Sequence, residues 1–454
     1  MNRPTFRAAR VIRGAMLGLA LLTAPAAAQA PADEAAREIA AWLRVIDEGR
    51  YAESWQGLAT VVQAMGSAEQ WEGMMRQGRA PFAGTVLSRA PQTAETMPQP
   101  AGAPAGEYAR IVFVTAFSGG ASARETVAAM REDGHWRAVG YFIAPGERTD
   151  YAAPAGAPYT AVDVVVPTPA GHSLAGTLTV PRNAPGRVPA VVLITGSGGQ
   201  DRDSFTPIVP DYRLFRQIAD SLSRRGIAAL RMDDRGIGGS GGASSTMTTA
   251  DFADDIRAGV EWLRARAEID PARIALAGHS EGGIIAPMVA ASDERIAAIA
   301  LMAAPSWTGR RISDMQVRDA LAASGLAGAT LDSVFAKTVA DRDAAAFTVP
   351  WVRWFLEYDP LPAARRVRAP VLILQGGTDR QITAEQAAEL GAAIRAGGNP
   401  DVTIRVFPGL NHLFLADAEG TADPARYAAL PDKRVPAEVI GALADWLAVR
   451  LGAR

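Results

Sequence analysis

From residue 159 onward, short runs that are apolar at nearly every position alternate with longer segments of helical spacing. The runs cover 190–194, 228–232, 274–277, 296–302 and 371–375, and a sixth, 403–407, carries interspersed polar residues. A strand apolar on both faces has no solvent side, and such strands belong to parallel sheets covered by helices above and below. The segments 211–225 and 251–266 supply helical spacing between them. An α/β fold is therefore predicted for residues 159–454, a mostly parallel central sheet with helices on both faces. The runs at 162–166 and 173–180 predict an antiparallel pair that opens it.

The pattern upstream is different. Residues 33–145 read as a small α+β unit, with helical spacing over 35–46 and 51–65 and strands over 107–117, 125–131 and 136–143. Asp133-Gly134 separates the last two strands and is a hairpin signal. Residues 98–106 read as a loop within this unit, and the Pro- and Gly-rich stretch 146–158 reads as a linker.

The first thirty residues have another character. Arg3, Arg7, Arg10 and Arg13 precede an apolar stretch over 15–22, Pro25 follows, and Ala28-Gln29-Ala30 offers small residues on either side of one position. This is the order of a secretory signal peptide over 1–30, cleaved after Ala30. The apolar stretch is far shorter than the ~20 residues that span a bilayer, so no stable membrane anchor is expected after cleavage. The expected location is the periplasm or exterior of a bacterium.

Composition narrows the chemistry. Of 454 residues 48% are hydrophobic and 21% charged, which rules out global disorder. There is no cysteine, so thiol nucleophiles, disulfides and cysteine metal sites are excluded. The net charge of −2 offers no basic excess for phosphate backbones, so nucleic acid is not an expected partner. Only four histidines are present: His135, His172, His279 and His412.

Gly278-His279-Ser280-Glu281-Gly282 closes one apolar run and opens a helical segment. A G-x-S-x-G pentapeptide between strand and helix makes a sharp turn that lifts the serine hydroxyl above the sheet. A serine hydroxyl is a weak nucleophile and needs a base within hydrogen-bond reach. His135 belongs to the other unit, His172 to the opening hairpin, and the His279 side chain is expected to point away around the turn. His412, on a loop after the sixth run, remains. An acid must orient this base. Asp379 stands at the end of the buried run 371–375 on a Gly-rich loop, whereas Asp401 enters a strand from the opposite end of the sheet and is the lesser candidate. Two backbone N–H groups are needed for an oxyanion; Glu281 follows the nucleophile, and Ser197, with Gly198 beside it, lies in the loop after the first central strand.

Other features carry less. Asp233-Asp234-Arg235-Gly236 lacks the full dinucleotide fingerprint and the chain has no P-loop lysine, so Asp234 and Arg235 are read as braces for neighbouring loops. Asp201, Arg202 and Asp203 read as an ion-pair cluster, and no metal site is expected. Trp351, Trp354, Phe355 and Tyr358 recur at helical spacing in a region expected to form a cap, about 306–365. They are candidates for an aromatic substrate-binding wall or for packing of that cap.

Residues 160–454 resemble the α/β-hydrolase superfamily, in particular bacterial secreted esterases of the monoglyceride-lipase and serine-aminopeptidase-like group. The resemblance rests on Gly196-Ser197-Gly198-Gly199, Asp233-Asp234-Arg235-Gly236, the Ser280 turn, Gly377-Thr378-Asp379 and Asn411-His412, in the order serine, acid, histidine. It implies an exported serine esterase with the catalytic triad Ser280, Asp379 and His412, acting on a small-molecule ester without cofactor. An aminopeptidase, amidase or thioesterase on the same fold is the alternative, and a non-catalytic scaffold acting through the N-terminal unit is the competing class. Thr195 departs from the histidine that many relatives carry before the oxyanion glycine, which leaves that loop without its usual support. The N-terminal unit resembles a small domain of unknown function from exported bacterial proteins, similar to a nuclear-transport-factor-like cone.

Overall fold

The computed structural model describes residues 26–453, apart from 81, 83, 101–102, 118–121, 146–150, 206–208, 210–211, 243–246, 347–348 and 421–423. Most of the expected signal peptide and the first part of the expected linker lie outside the described residues. The chain forms two compact units, one built from Thr23–Asp150 with Gly236–Gly242, the other from Tyr151–Arg235 with Ala243–Arg454. Among the described residues no helix is long and apolar enough to cross a membrane.

The smaller unit contains helices α1 (Ala26–Asp47) and α2 (Ala68–Arg79) and an antiparallel meander of β1 (Val86–Met97), β2 (Tyr108–Phe117), β3 (Ser122–Glu132) and β4 (His135–Pro145). One stripe of α1, carrying Ala35, Ile39, Leu43 and Ile46, packs with Ile111, Phe113, Val127 and Ala138 of the sheet. The expected hairpin is present, with Glu132 opposite His135 across Asp133-Gly134. Two features differ from the expectation. The single helix expected over 51–65 is broken into Tyr51–Ser54, a 3₁₀ turn at Trp55–Gly57, and Thr60–Gln63. The Leu58 and Ala59 backbone is extended there, and the Gln63 amide donates to the Trp55 and Leu58 carbonyls across the break. Strand β1 was not expected, because it is an edge strand that mixes polar and apolar residues without a continuous apolar run.

The larger unit holds an eight-stranded sheet in the order β5-β6-β8-β7-β9-β10-β11-β12. Its strands are β5 (Tyr159–Pro167), β6 (Ser173–Pro181), β7 (Val188–Ile194), β8 (Ala228–Met232), β9 (Ile269–His279), β10 (Ala298–Met302), β11 (Val371–Gly376) and β12 (Val402–Phe407). β5 and β6 are antiparallel to each other and β6 to β8; every later pairing is parallel. Alternate residues of the central strands face opposite layers. Val192 and Ile194 enter a core with α4 (Thr249–Arg264), α5 (Gly282–Ala290) and α9 (Ala384–Ala396). Val191 and Leu193 enter one with α3 (Leu214–Ser223) and α10 (Ala437–Leu451). This two-sided burial is the reason the strand sequences are apolar throughout. β12 closes the edge, which accounts for its polar positions. Between β10 and β11, in the region expected to form a cap, the chain inserts α6 (Gly309–Ala323), α7 (Gly328–Ala346), α8 (Pro350–Glu357) and a short turn of helix at Leu361–Ala364.

Candidate active site

The carboxyl ends of parallel strands open on one edge of a sheet, and loops leaving them converge there. β7, β9, β11 and β12 send the candidate residues to this edge. Ser280 occupies the turn between β9 and α5 with φ 54°, left-handed backbone that a non-glycine residue rarely adopts. The flanking glycines are required by contact. A Cβ on Gly278 would stand 2.0 Å from the Gly282 carbonyl oxygen, and one on Gly282 would stand 2.2 Å from that of Ile194. The turn is tied to the sheet by Ser280 N–H donating to the Met302 carbonyl at 2.8 Å.

The serine meets two of the expected partners. His412 Nε2 lies 3.1 Å from Ser280 Oγ, and its Nδ1 lies 2.9 Å from Asp379 Oδ2. A carboxylate only accepts, so Nδ1 carries the proton and Nε2 is the face that accepts from the serine hydroxyl. The Asp379 side chain is wholly buried. Its Oδ1 accepts from the N–H groups of Gln381 (2.8 Å) and Ile382 (2.9 Å), and its Oδ2 accepts from the Gln375 amide at 3.1 Å as well as from the imidazole. Asn411 shapes the histidine loop, its Oδ1 accepting from Leu413 and Leu415 N–H.

The other histidines are elsewhere. His135 sits in the smaller unit beside Glu38, and His172 Nε2 is 3.0 Å from Asp255 Oδ1. Asp401 pairs with Arg450 at 2.6 Å. His279 differs from the expectation: its side chain does not turn away from the site but lies buried with Nε2 2.9 Å from the His412 carbonyl. Burial, reinforced by the neighbouring His412, holds its pKa down at about 3.

The loop after β7 is held from behind. Asp234 Oδ1 accepts from Thr195 Oγ1 at 2.5 Å and its Oδ2 from Gln200 N–H at 2.8 Å. Support that Thr195 seemed to forfeit thus comes from Asp234, whose carboxyl burial lifts well above its ordinary pKa. Arg235 braces α4 instead, through Asp255. Arg202 forms a buried fork with Asp233 at 2.9 and 2.8 Å, and Arg231 pairs with Asp203. These pairs make the cluster around Asp201–Asp203 an ionic brace. Among the described residues no group of three or more histidines, cysteines or carboxylates is placed to hold a metal.

The cap aromatics divide into two stacks, Trp351 on Phe355 at 5.2 Å and Trp354 on Tyr358 at 4.2 Å. Helix α8 ends at Glu357, so Tyr358 is its C-cap and not part of a continuous helical face. Trp351 reaches the nucleophile turn, its Nε1 donating to Glu281 Oε1 at 2.8 Å. The roles of the Glu281 and Gln375 side chains were not legible in the sequence; His279 was set aside there as a base, and Asn411 entered only beside His412. Gln375 left a trace there, as the polar residue that ends the run 371–375.

Residues 210–419 match the family described as serine aminopeptidase, S33, and residues 38–141 match a protein family of unknown function. Esterase EstD of Thermotoga maritima is 27% identical over 351 residues, 75% of this chain and 80% of that protein. Two uncharacterized proteins of Mycobacterium tuberculosis are 28% identical over 254 residues, 55% of this chain and 72% of theirs. Among solved structures, the Pyrococcus furiosus esterase Pf2001 aligns with a TM-score of 0.45 at 18% identity, covering 66% of this chain and 94% of its own. A hypothetical protein of Pseudomonas aeruginosa aligns with a TM-score of 0.46 at 19% identity, covering 67% and 98%.

Proposed function

We propose that the larger unit is an α/β-hydrolase and that the protein is an exported serine hydrolase that cleaves carboxylic esters through an acyl-enzyme. The observation that carries this reading is the continuous line of hydrogen-bonding groups Ser280 Oγ, His412 Nε2, His412 Nδ1 and Asp379 Oδ2, at 3.1 and 2.9 Å. Ser280 Oγ attacks the ester carbonyl carbon while His412 Nε2 takes the hydroxyl proton. The tetrahedral oxyanion is met by the N–H groups of Glu281 and Ser197; each such donor is typically worth about 2.7–4 kcal/mol. Collapse breaks the bond to the alcohol oxygen, which leaves with the proton from His412. A water then gives His412 a proton and attacks the acyl carbon, and Ser280 leaves with that proton. Asp379 holds the imidazole in the required tautomer and stabilises its charged form throughout. None of these steps calls for a metal or cofactor.

The name of the Thermotoga relative favours esters over peptides for the substrate. Trp351, beside the nucleophile turn, and Phe355 stacked on it would form the aromatic wall that receives an acyl or alcohol group. Export is supported by the arginine-rich, apolar, small-residue order of 1–30.

The test is labelling of the purified chain by a fluorophosphonate, with Ser280→Ala as control and a panel of short- to long-chain esters. Labelling confined to the wild type with turnover of esters is the expected result. Labelling without ester turnover would shift the substrate to peptides or thioesters. A folded wild-type chain that does not label would overturn the hydrolase mechanism in favour of a scaffold.

A further inference from the structure

Ester hydrolysis asks only for the backbone of the residue that follows the nucleophile; its side chain has no part in the reaction. Here that residue is a glutamate, it is 3% exposed, and its carboxyl meets polar groups from three separate parts of the unit. Thr249, in the first turn of α4, donates to Oε1 at 2.5 Å. Trp351, in the first turn of the cap helix α8, donates to the same oxygen at 2.8 Å. The Ser197 hydroxyl, from the loop after β7, lies beside the carboxyl and favours its charged form. Burial alone would drive such a group toward its neutral form, and burial does raise the Glu281 pKa; the three polar groups act in the opposite direction.

The geometry points to Glu281 as a positioning residue whose carboxyl joins the seating of the cap helix to the alignment of the oxyanion hole. The inference rests on the esterase reading above, since it concerns the same hole. Both donors of the proposed hole, the N–H groups of Ser197 and Glu281, belong to residues whose side chains meet at this carboxyl. The third participant, Trp351, is the one residue of the cap bonded to it among the described residues. The loop 195–200 is held by Asp234 through Thr195 and Gln200, and its Ser197 side chain also faces the Glu281 carboxyl to which the Trp351 indole is bonded. When α8 lifts, the carboxyl loses a donor, and the Ser197 hydroxyl and the 281 backbone are released together. Catalytic machinery completed by closure of a peripheral element is a recurrent use of caps and lids. In this chain the link is a single carboxyl group.

The experiment is a double-mutant cycle on the full chain, reading the second-order rate of Ser280 phosphonylation by a fluorophosphonate, together with kcat and KM for a p-nitrophenyl ester. Trp351→Phe keeps a ring against Phe355 and removes the indole N–H; Glu281→Met removes the acceptor at similar volume; Glu281→Gln restores a carbonyl acceptor. Trp351→Phe is expected to slow phosphonylation and lower kcat about tenfold, the rate equivalent of about 1.4 kcal/mol, with KM little changed. In the Glu281→Met background the same substitution should have almost no further effect, and Glu281→Gln should recover part of the rate. Thr249→Val serves as the contrast: it breaks a bond to the same oxygen without touching the cap, so it should lower Tm while the effect of Trp351→Phe persists. Equal effects of Trp351→Phe in both Glu281 backgrounds would overturn the coupling and leave the esterase reading intact. Should Glu281→Met fail to fold, an unchanged phosphonylation rate in Trp351→Phe alone overturns it equally. A wild-type chain that never labels overturns the hydrolase reading, and this inference with it.

Discussion

His279 holds His412 by its backbone: the buried Nε2 donates to the His412 carbonyl at 2.9 Å, with the two rings 5.0 Å apart. A carbonyl only accepts, so this bond selects the Nε2–H tautomer of His279. The residue just before the nucleophile therefore positions the loop that carries the proposed base, and the alignment of Ser280 with His412 depends on it. His279→Ala is expected to lower kcat by roughly ten- to a hundredfold with little change in KM, since small misplacements of a catalytic group are costly. His279→Gln, whose amide can extend toward the same carbonyl, should retain more activity. Steady-state kinetics with a soluble ester decide between these outcomes; equal losses in both variants would mean that this hydrogen bond is not what matters.

The same histidine has a consequence for acid stability. Its pKa lies at about 3 in the fold against about 6.5 for an ordinary histidine, because burial penalises the charged ring. The unfolded chain then binds one more proton than the folded chain between those values. Stability is fully present above the unfolded pKa and falls as pH drops toward the folded one, by at most about 1.4 kcal/mol per pH unit for a single proton. His279→Gln removes this term. Urea unfolding across the range from neutral to strongly acid pH should show the wild type losing stability faster than the variant as the solution is acidified; parallel curves would contradict a buried, neutral His279.

Asp379 sits in a field of donors, and this predicts a severe defect from a change that preserves shape. Both its oxygens accept, Oδ1 from Gln381 and Ile382 N–H and Oδ2 from Gln375 and His412. In Asp379→Asn one of these oxygens becomes an NH₂ group, which must face donors wherever it points. Either two backbone N–H groups lose their acceptor or the imidazole is turned to the wrong tautomer. A fall in kcat of roughly 10⁴-fold is expected, with a smaller fall in Tm. Retention of near wild-type kcat at neutral pH would remove Asp379 from the mechanism.

The parts of this arrangement that were legible in the sequence are those with local signatures. Strands β7, β8, β10 and β11 are apolar because both of their faces are covered, so they could be read as a buried parallel sheet without further information. Ser280 was legible because Gly278 and Gly282 are demanded by backbone contact, and His412 because the chain has so few histidines to choose from. Contacts between distant residues leave no such mark. Glu281 and Trp351 are separated by 70 residues, and nothing in the spacing of either announces the other. Strand β1 was hidden for another reason: an edge strand needs little apolar surface, and Pro91 falls beside one of its register irregularities.

The smaller unit conceals a feature that no local pattern reveals and that makes a strong prediction for stability. Glu125 on β3 is wholly buried, and so is most of the charge around it. Arg79 of α2 bonds Glu125 at 2.7 Å and Asp47 at 2.6 Å; Arg89 of β1 bonds Glu125 at 2.8 Å and also reaches Asp47. The Tyr141 hydroxyl, 2.6 Å from Glu125, and Thr115 complete the ring of donors. Two cations and two anions thus meet under the sheet, linking the end of α1, α2, β1 and β3. The four ions are largely withdrawn from water and face one another, so removing one leaves the rest uncompensated. Glu125→Leu strands both guanidiniums on Asp47 and is expected to cost about 3–5 kcal/mol. An exposed pair offers the contrast: Glu95→Ala, which breaks the solvent-facing contact with Arg110, should cost less than about 1 kcal/mol. Calorimetry on the two variants of the full chain resolves the difference. A Glu125→Leu chain that melts like the wild type would show that the four charges are not what holds this unit together.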